Sequence, residues 1–380
     1  MAIRMEPAVW VFPVLLAAVA TCLLAGCSAQ AADRASTERI VFLGDSITDG
    51  FSYPLLVRQA LAEAHKPLPV CVNAGIGGDT AAGMRKRLDR DVLVHRPTLM
   101  TISVGVNDVL RSVPLADYEA DVRAILERMK KASIPVLVLT TSVLGGKTAE
   151  ADKRLAGHNE ILRRLAGEFG CRVGEVYALM DKARRGGRVV LEEDFVHPNY
   201  QGHRVMARAV LDALGHRDVP VPAQMVVRPL PGLVTPWKLR AVTDPKARPL
   251  DANTVVAVRP DATFKTLAVP EQTPQKHWWS EQTRQRGYAL SLAEVAGKAP
   301  RYVGVATVSA GEAHRAYFNV GADLQAIWLN GRQIYKASPE WQGYHAGRER
   351  IAAELKAGAN TVVIETGGQF FLSVTDNNDW

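Results

Sequence analysis

Ile40-Val41-Phe42-Leu43-Gly44-Asp45-Ser46-Ile47-Thr48 begins as an unbroken apolar run and turns sharply at Gly-Asp-Ser. A strand that ends this way sets a serine hydroxyl at its carboxyl end, where open α/β sheets place their chemistry. Such a serine becomes a nucleophile only if a histidine base, an orienting acid and donors for an oxyanion converge on it. Taken alone, the run reads as an ordinary strand-to-helix turn with Ser46 as the N-cap.

From Arg39 to Leu214 apolar runs alternate with segments of helical period, the pattern of a doubly wound parallel sheet. Strands are expected at about 39–44, 69–73, 98–104, 135–140 and 171–176, in the flavodoxin-like order 2-1-3-4-5. Leu115, Tyr118, Val122, Ile125 and Met129 recur at steps of three and four, as one buried helix face does. Leu155, His158, Leu162, Leu165 and Phe169 repeat the pattern, which makes His158 a core or boundary residue; His203, beside Met206 and Val210, reads the same way. Cys71 and Cys171 fall in the second and fifth strands, at opposite edges of such a sheet and too far apart to bond.

Three further segments bear on Ser46: Asn73-Ala74-Gly75-Ile76-Gly77-Gly78-Asp79-Thr80, Gly105-Val106-Asn107-Asp108, and Asp194-Phe195-Val196-His197-Pro198-Asn199. Gly78 lacks a side chain, so its backbone N–H can approach an oxyanion closely. Asn107, read as ending a buried strand, would project its amide from the same edge. Asp194 and His197, at i and i+3, let a carboxylate reach Nδ1 while Nε2 faces the serine. Losing an oxyanion donor typically costs roughly 10²–10³ in turnover, and losing the orienting acid up to about 10⁴. Each segment alone is also a turn or a cap, and Asp79 reads as the cap of the next helix.

Together the four blocks resemble the SGNH, or GDSL-type, hydrolase family over residues 38–216, in the family's order. The resemblance implies a catalytic set of Ser46 (nucleophile), His197 (general base) and Asp194 (acid). It also implies an oxyanion hole of the Ser46 and Gly78 N–H groups and the Asn107 amide. No cofactor is implied, and no Cys/His spacing suggests a metal site.

The 380 residues carry a net charge of +7 and 47% hydrophobic residues, enough for two or three domains with full cores. The charge is spread out. Arg184, Arg185 and Arg188 lack interleaved aromatics and read as a solvated loop, so no nucleic-acid partner follows. Residues 1–27, with Arg4, an apolar stretch from Ala8 to Leu24 and then Leu24-Ala25-Gly26-Cys27, resemble a bacterial lipoprotein signal peptide. The resemblance implies lipidation at Cys27, export and attachment to the cell envelope, with Ser28 favouring the outer membrane. A plain signal peptide cleaved near Ala32 is the alternative.

Pro220, Pro222, Pro229, Pro231 and Pro236 mark residues 217–236 as a linker. Beyond it, helical period fades and runs such as Thr254–Val258, Tyr302–Val308 and Asn360–Ile364 read as strands of an all-β domain over 237–380. Tyr317–Asp323, Ile327–Arg332 with its Asn330-Gly331 turn, and Leu355–Ile364 resemble the galactose-binding-like jelly rolls, or β-sandwiches, appended to glycan-active enzymes. Six tryptophans, Trp237, Trp278, Trp279, Trp328, Trp341 and Trp380, lie in this half and read mainly as core. One of the Trp278-Trp279 pair is expected to meet solvent or a neighbouring domain, and His277 and His345 lack a paired ligand.

The leading expectation is a surface-tethered serine esterase removing small acyl groups, O-acetyl above all, from a polysaccharide or glycoconjugate. A lipid esterase, lysophospholipase or thioesterase is the alternative, with Val106, Val109, Leu110, Val143 and Leu144 as candidate lining of an acyl trough. A non-catalytic glycan-binding lipoprotein is the third reading.

Overall fold

The computed structural model describes residues 38–227, 231–268, 273–275, 292–338 and 349–376. Residues 1–27 with Cys27, and His277, Trp278, Trp279, Trp341, His345 and Trp380, lie outside the described residues.

The first half is a three-layer α/β domain. In chain order it runs β1 (Arg39–Gly44), α1 (Ser46–Asp49), α2 (Ser52–Glu63), β2 (Val70–Gly75), α3 (Ala81–Lys86), α4 (Leu88–Asp91), β3 (Leu99–Ser103), α5 (Val106–Leu110), α6 (Leu115–Lys131), β4 (Val136–Leu139), α7 (Ala149–Phe169), β5 (Arg172–Gly174), α8 (Val176–Arg185) and α9 (Tyr200–Ala213). The five strands are parallel in the expected order β2-β1-β3-β4-β5. Every residue of β1 is buried, because helices cover both faces; this is why the run reads as continuously apolar.

The side chains alternate between two cores. Ile40, Phe42, Leu99, Leu137 and Leu139 pack on one face with Leu56, Val57, Met180, Met206 and Val210. Val41, Leu43, Met100, Ile102, Val136 and Val138 pack on the other with Met84, Tyr118, Val122, Ile125, Met129, Leu162 and Leu165. Two details differ from expectation. Leu115 is exposed at the start of α6 rather than part of its stripe, and Leu155 packs on the opposite face of the sheet from Leu162. His158 and His203 are both buried. His203 lies parallel to the Tyr53 ring at 6.2 Å, and burial pushes it down to about 3, so it stays neutral. Cys71 and Cys171 lie on the two edge segments and are not bonded to each other.

The start of the expected linker is anchored to this domain. Val219 and Met225 are buried in its core, and Arg208 donates to the carbonyls of Val219 and His216. Residues Met225–Val227 form β6, held by Gln59, which donates to Gln224 O at 3.0 Å and accepts from Val226 N at 2.8 Å.

The remainder is antiparallel β structure: β7 (Trp237–Val242), β8 (Lys265–Leu267), β9 (Thr273–Gln275), a short helix α10 (Leu292–Ala296), β10 (Arg301–Ala310), β11 (His314–Leu329), β12 (Arg332–Lys336), β13 (Glu349–Leu355) and β14 (Gly358–Thr375). Seven strands form one sheet, in the order β12-β11-β14-β10-β7-β8 with β13 also pairing β11, while β6 pairs β9. Trp237 and Trp328 are core, as expected; Trp237 meets Phe370 edge-on at 5.2 Å and donates its indole N–H to Val234 O. Asn330 and Gly331 both take positive φ, 51° and 85°, in the turn between β11 and β12. The run Thr254–Val258 is not a strand but a 3-10 turn over Val255–Ala257. Asp251 accounts for this: its carboxylate accepts from Asn253 N and Thr254 N, and its carbonyl from Val255 N, which winds the chain before a ladder can form.

One buried side chain pins the carboxyl edge of the α/β sheet. Arg87, at the α3–α4 junction, donates to Gly44 O at 2.9 Å and Ala74 O at 2.7 Å, and pairs with Asp79 at 2.7 Å and Asp91 at 3.0 Å. Arg87→Leu leaves buried carboxylates and strand-end carbonyls without their cation, so it is expected to cost about 3–5 kcal/mol. Urea unfolding of the purified variant measures this; a change under about 1 kcal/mol would show the hub to be dispensable.

Candidate active site

The structure brings Ser46, Asp194 and His197 together; Gly78 lies in the turn between β2 and α3, and Asn107 lies in α5, hydrogen-bonded to the residue before Ser46. Ser46 Oγ lies 2.7 Å from His197 Nε2, and His197 Nδ1 lies 2.6 Å from Asp194 Oδ2. Partial burial pushes the Asp194 carboxyl up. Hydrogen bonds from the His197 ring and from the His197 and Val196 N–H groups outweigh this and hold it below its ordinary value. Asp194 is therefore a carboxylate at neutral pH and only accepts. This assigns the proton of neutral His197 to Nδ1 and leaves Nε2 to accept from the Ser46 hydroxyl.

Local geometry explains how each group is held. Asp45, not Ser46, caps the helix that follows β1: its Oδ1 accepts from Ile47 N at 3.0 Å. Ser46 is thus the first helical residue, and its own N–H has no intrahelical acceptor. Asp194 and His197 sit on a closed loop. Glu192 N donates to His197 O, Phe195 N donates to Glu192 O, and Asp194 Oδ1 accepts from Val196 N at 2.9 Å and His197 N at 3.0 Å. Asn199 closes the loop's exit by capping α9 through Gly202 N and by donating to the Val189 and Leu191 carbonyls.

Gly78 has φ of 76°, a conformation that glycine takes without strain. Its carbonyl accepts from Arg111 at 2.6 Å. Arg111 N in turn donates to Asn107 O, so one side chain joins the Gly78 turn to the helix carrying Asn107. Asn107 does not end a strand: β3 stops at Ser103, and Asn107 is the second residue of α5. One N–H of its amide donates to Asp45 Oδ2 at 3.2 Å, which orients the group and leaves the second for an acceptor.

Several residues that hold this arrangement were not singled out by sequence. Thr80, rather than Asp79, caps α3 through Gly83 N, while Asp108 accepts from Ala81 N at 3.1 Å and Asp79 is taken up by Arg87. Arg184 is no solvated loop residue; it donates to Leu144 O at 2.9 Å and pairs with Asp152 and Asp181. Asp152 also accepts from Leu144 N. This clamps residues 144–145, and Gly145 N donates to Phe195 O inside the Asp194–His197 loop. Among the ion pairs, only Arg87 with Asp91, at i and i+4, and Arg184 with Asp181, at i and i+3, had a local signal in their spacing.

Asp45 is fully buried, and burial pushes its carboxyl up to about 7, against the lowering effects of Ile47 N–H and His197. The unfolded chain releases this proton near pH 4, whereas the native chain keeps it until about 7. Asp45 therefore lowers stability progressively as pH rises through that interval. Asp45→Asn keeps the cap and removes the titration, so its stability relative to wild type should improve by a few kcal/mol, to order of magnitude, between pH 4 and pH 8. Urea denaturation of both proteins at the two pH values checks this, and a constant difference would contradict it.

Residues 42–205 match the GDSL-like Lipase/Acylhydrolase family. An acetylxylan esterase of Geobacillus stearothermophilus is 26% identical over 208 residues, which cover 47% of this chain and 95% of that protein. An arylesterase of Vibrio mimicus is 31% identical over 120 residues, 30% of this chain and 59% of that protein. A crystal structure of a catalytic mutant of the Geobacillus stearothermophilus acetylxylan esterase aligns at 24% identity with a TM-score of 0.43, covering 47% of this chain and 94% of that one. The chain is a serine carboxylic ester hydrolase whose residues 42–205 are similar to the GDSL-like Lipase/Acylhydrolase family.

Proposed function

We propose that the chain removes small O-acyl groups, O-acetyl above all, from a polysaccharide or glycoconjugate through an acyl-enzyme at Ser46. The observation that carries this reading is the hydrogen-bonded run from Asp194 through His197 to Ser46. Ser46 Oγ attacks the acyl carbon while His197 Nε2 takes its proton. The oxyanion is met by the N–H groups of Ser46 and Gly78 and by the Asn107 amide. His197 then protonates the departing sugar oxygen, which leaves as a hydroxyl; water attacks the acyl-serine with the same base, and His197 returns the proton to Ser46 Oγ as the carboxylic acid departs. Asp194 remains a carboxylate throughout and stabilises the imidazolium.

The short acyl group is supported by what surrounds the site. Val106, Val109, Val143 and Leu144, which a long-acyl trough would need at its surface, are all buried in the core, and Leu110 alone of that set is exposed. This counts against the lipid or thioester alternative. The glycan is supported by the acetylxylan esterase likeness, which spans nearly all of that relative. The antiparallel region, with its Asn330-Gly331 turn and the Gly358-Ala359-Asn360 turn, would be the galactose-binding-like partner of such an enzyme. The Leu24–Cys27 run supports an exported form anchored in the cell envelope by lipid on Cys27.

Hydrolysis of p-nitrophenyl acetate, butyrate and octanoate is expected to fall with acyl length and to drop at least about 10³-fold in Ser46→Ala. Faster turnover of octanoate would overturn the small-acyl reading, and unchanged turnover by Ser46→Ala would overturn the nucleophile. Asn107→Ala is expected to lower kcat on p-nitrophenyl acetate by roughly 10²–10³ with little change in KM. An equal rise in KM instead would place Asn107 in substrate binding.

A further inference from the structure

Phe195 lies between the acid and the base, and its backbone is in the left-handed region, with φ of 61°. A bulky residue there is a conformational outlier, and outliers held in place beside a reaction centre point to a function for the side chain. The backbone alone does not call for phenylalanine. The loop needs a left-handed residue so that Asp194 Oδ1 can receive both Val196 N and His197 N, and glycine would supply that turn without strain.

The ring is not there to fill a core. Phe195 is 42% exposed, and it is the one exposed aromatic among the described side chains; the other exposed large apolar residues are leucines and valines. One side of the ring rests on Gly145 and Gly146. A Cβ on Gly146 would sit 2.5 Å from Phe195 Cγ, so the missing side chain makes the seat. The seat is fixed, because Phe195 O accepts from Gly145 N at 3.0 Å and from Thr148 Oγ1 at 3.2 Å. A flat apolar surface, braced from behind and two residues from His197, suits the apolar face of a sugar ring. Such a ring could lie against it while its acyl ester reaches Ser46.

We propose that Phe195 is the stacking platform for the acyl-bearing sugar, the specificity determinant of this esterase. This rests on the glycan reading above. The platform acts on binding of the sugar and takes no part in the chemistry at the ester, so its signature is a split between substrates.

The test compares wild type, Phe195→Gly, Phe195→Leu and Phe195→Trp on ethyl acetate, followed by pH-stat, and on acetylated xylo-oligosaccharides, followed by acetate release. Phe195→Gly and Phe195→Leu are expected to raise KM for the oligosaccharides about tenfold, the loss of one stacking contact, with kcat little changed. Both should keep kcat/KM on ethyl acetate within about twofold, and Phe195→Trp should keep the oligosaccharide KM. An unchanged oligosaccharide KM in Phe195→Gly and Phe195→Leu would overturn the platform while leaving the glycan esterase standing. Parallel loss of turnover on both substrates would also overturn it, by making the ring a strut for the acid–base loop. Wild type that hydrolyses ethyl acetate but releases no acetate from the oligosaccharides would overturn the glycan reading, and the platform with it.

Discussion

The buried guanidinium of Arg87 is the interaction on which the rest of the site depends. At the carboxyl ends of β1 and β2 the sheet runs out of partners just where the chain must turn into the Ser46 and Gly78 loops. Strand-end carbonyls buried there still need donors. Arg87 supplies them to Gly44 and Ala74 together and is balanced by Asp79 and Asp91. The planar fork of arginine suits this task, because it makes several hydrogen bonds in directions fixed relative to one another. Two strand ends, Gly44 and Ala74, 30 residues apart in sequence, are thereby held to one side chain.

Around that hub the site is built in two tiers. The inner tier is short-range: Asp45 capping its own helix, Asp194 gathering two N–H groups from its own loop, Asn199 capping α9. The outer tier is long-range and charged, with Arg111 reaching Gly78 and Arg184 reaching Leu144 and Asp152. Short-range bonds shape each loop, and the arginines set the distances between loops. Asp45 belongs to both tiers, since the same carboxyl that caps α1 also orients the Asn107 amide.

This division explains what the sequence made legible. The parallel sheet, its order and the four site segments could be read because strand burial and turn chemistry are local: apolar runs, glycines at tight turns, and an acid three residues before a histidine. The outer tier could not. Arg87 sits in the run Met84-Arg85-Lys86-Arg87-Leu88-Asp89-Arg90-Asp91, which looks like any solvated helix, and nothing local marks its contact with Gly44 across 43 residues. Arg184 was misread for the same reason. The Thr254–Val258 run failed differently: three valines suggested a strand, but the carboxylate of Asp251 offered the backbone a closer partner. Asn107 was placed on the right edge but on the wrong element, because a glycine at φ of 122° begins a helix there instead of extending β3.

The Ser46–His197 contact closes a loop of 151 residues. A chain emerging in order thus carries Ser46 and the Gly78 and Asn107 segments long before His197, which lies just ahead of α9. Contacts of this range are the slow ones to form. Turnover therefore requires both ends of this 151-residue span to be in place at once, which makes it a reporter of complete closure.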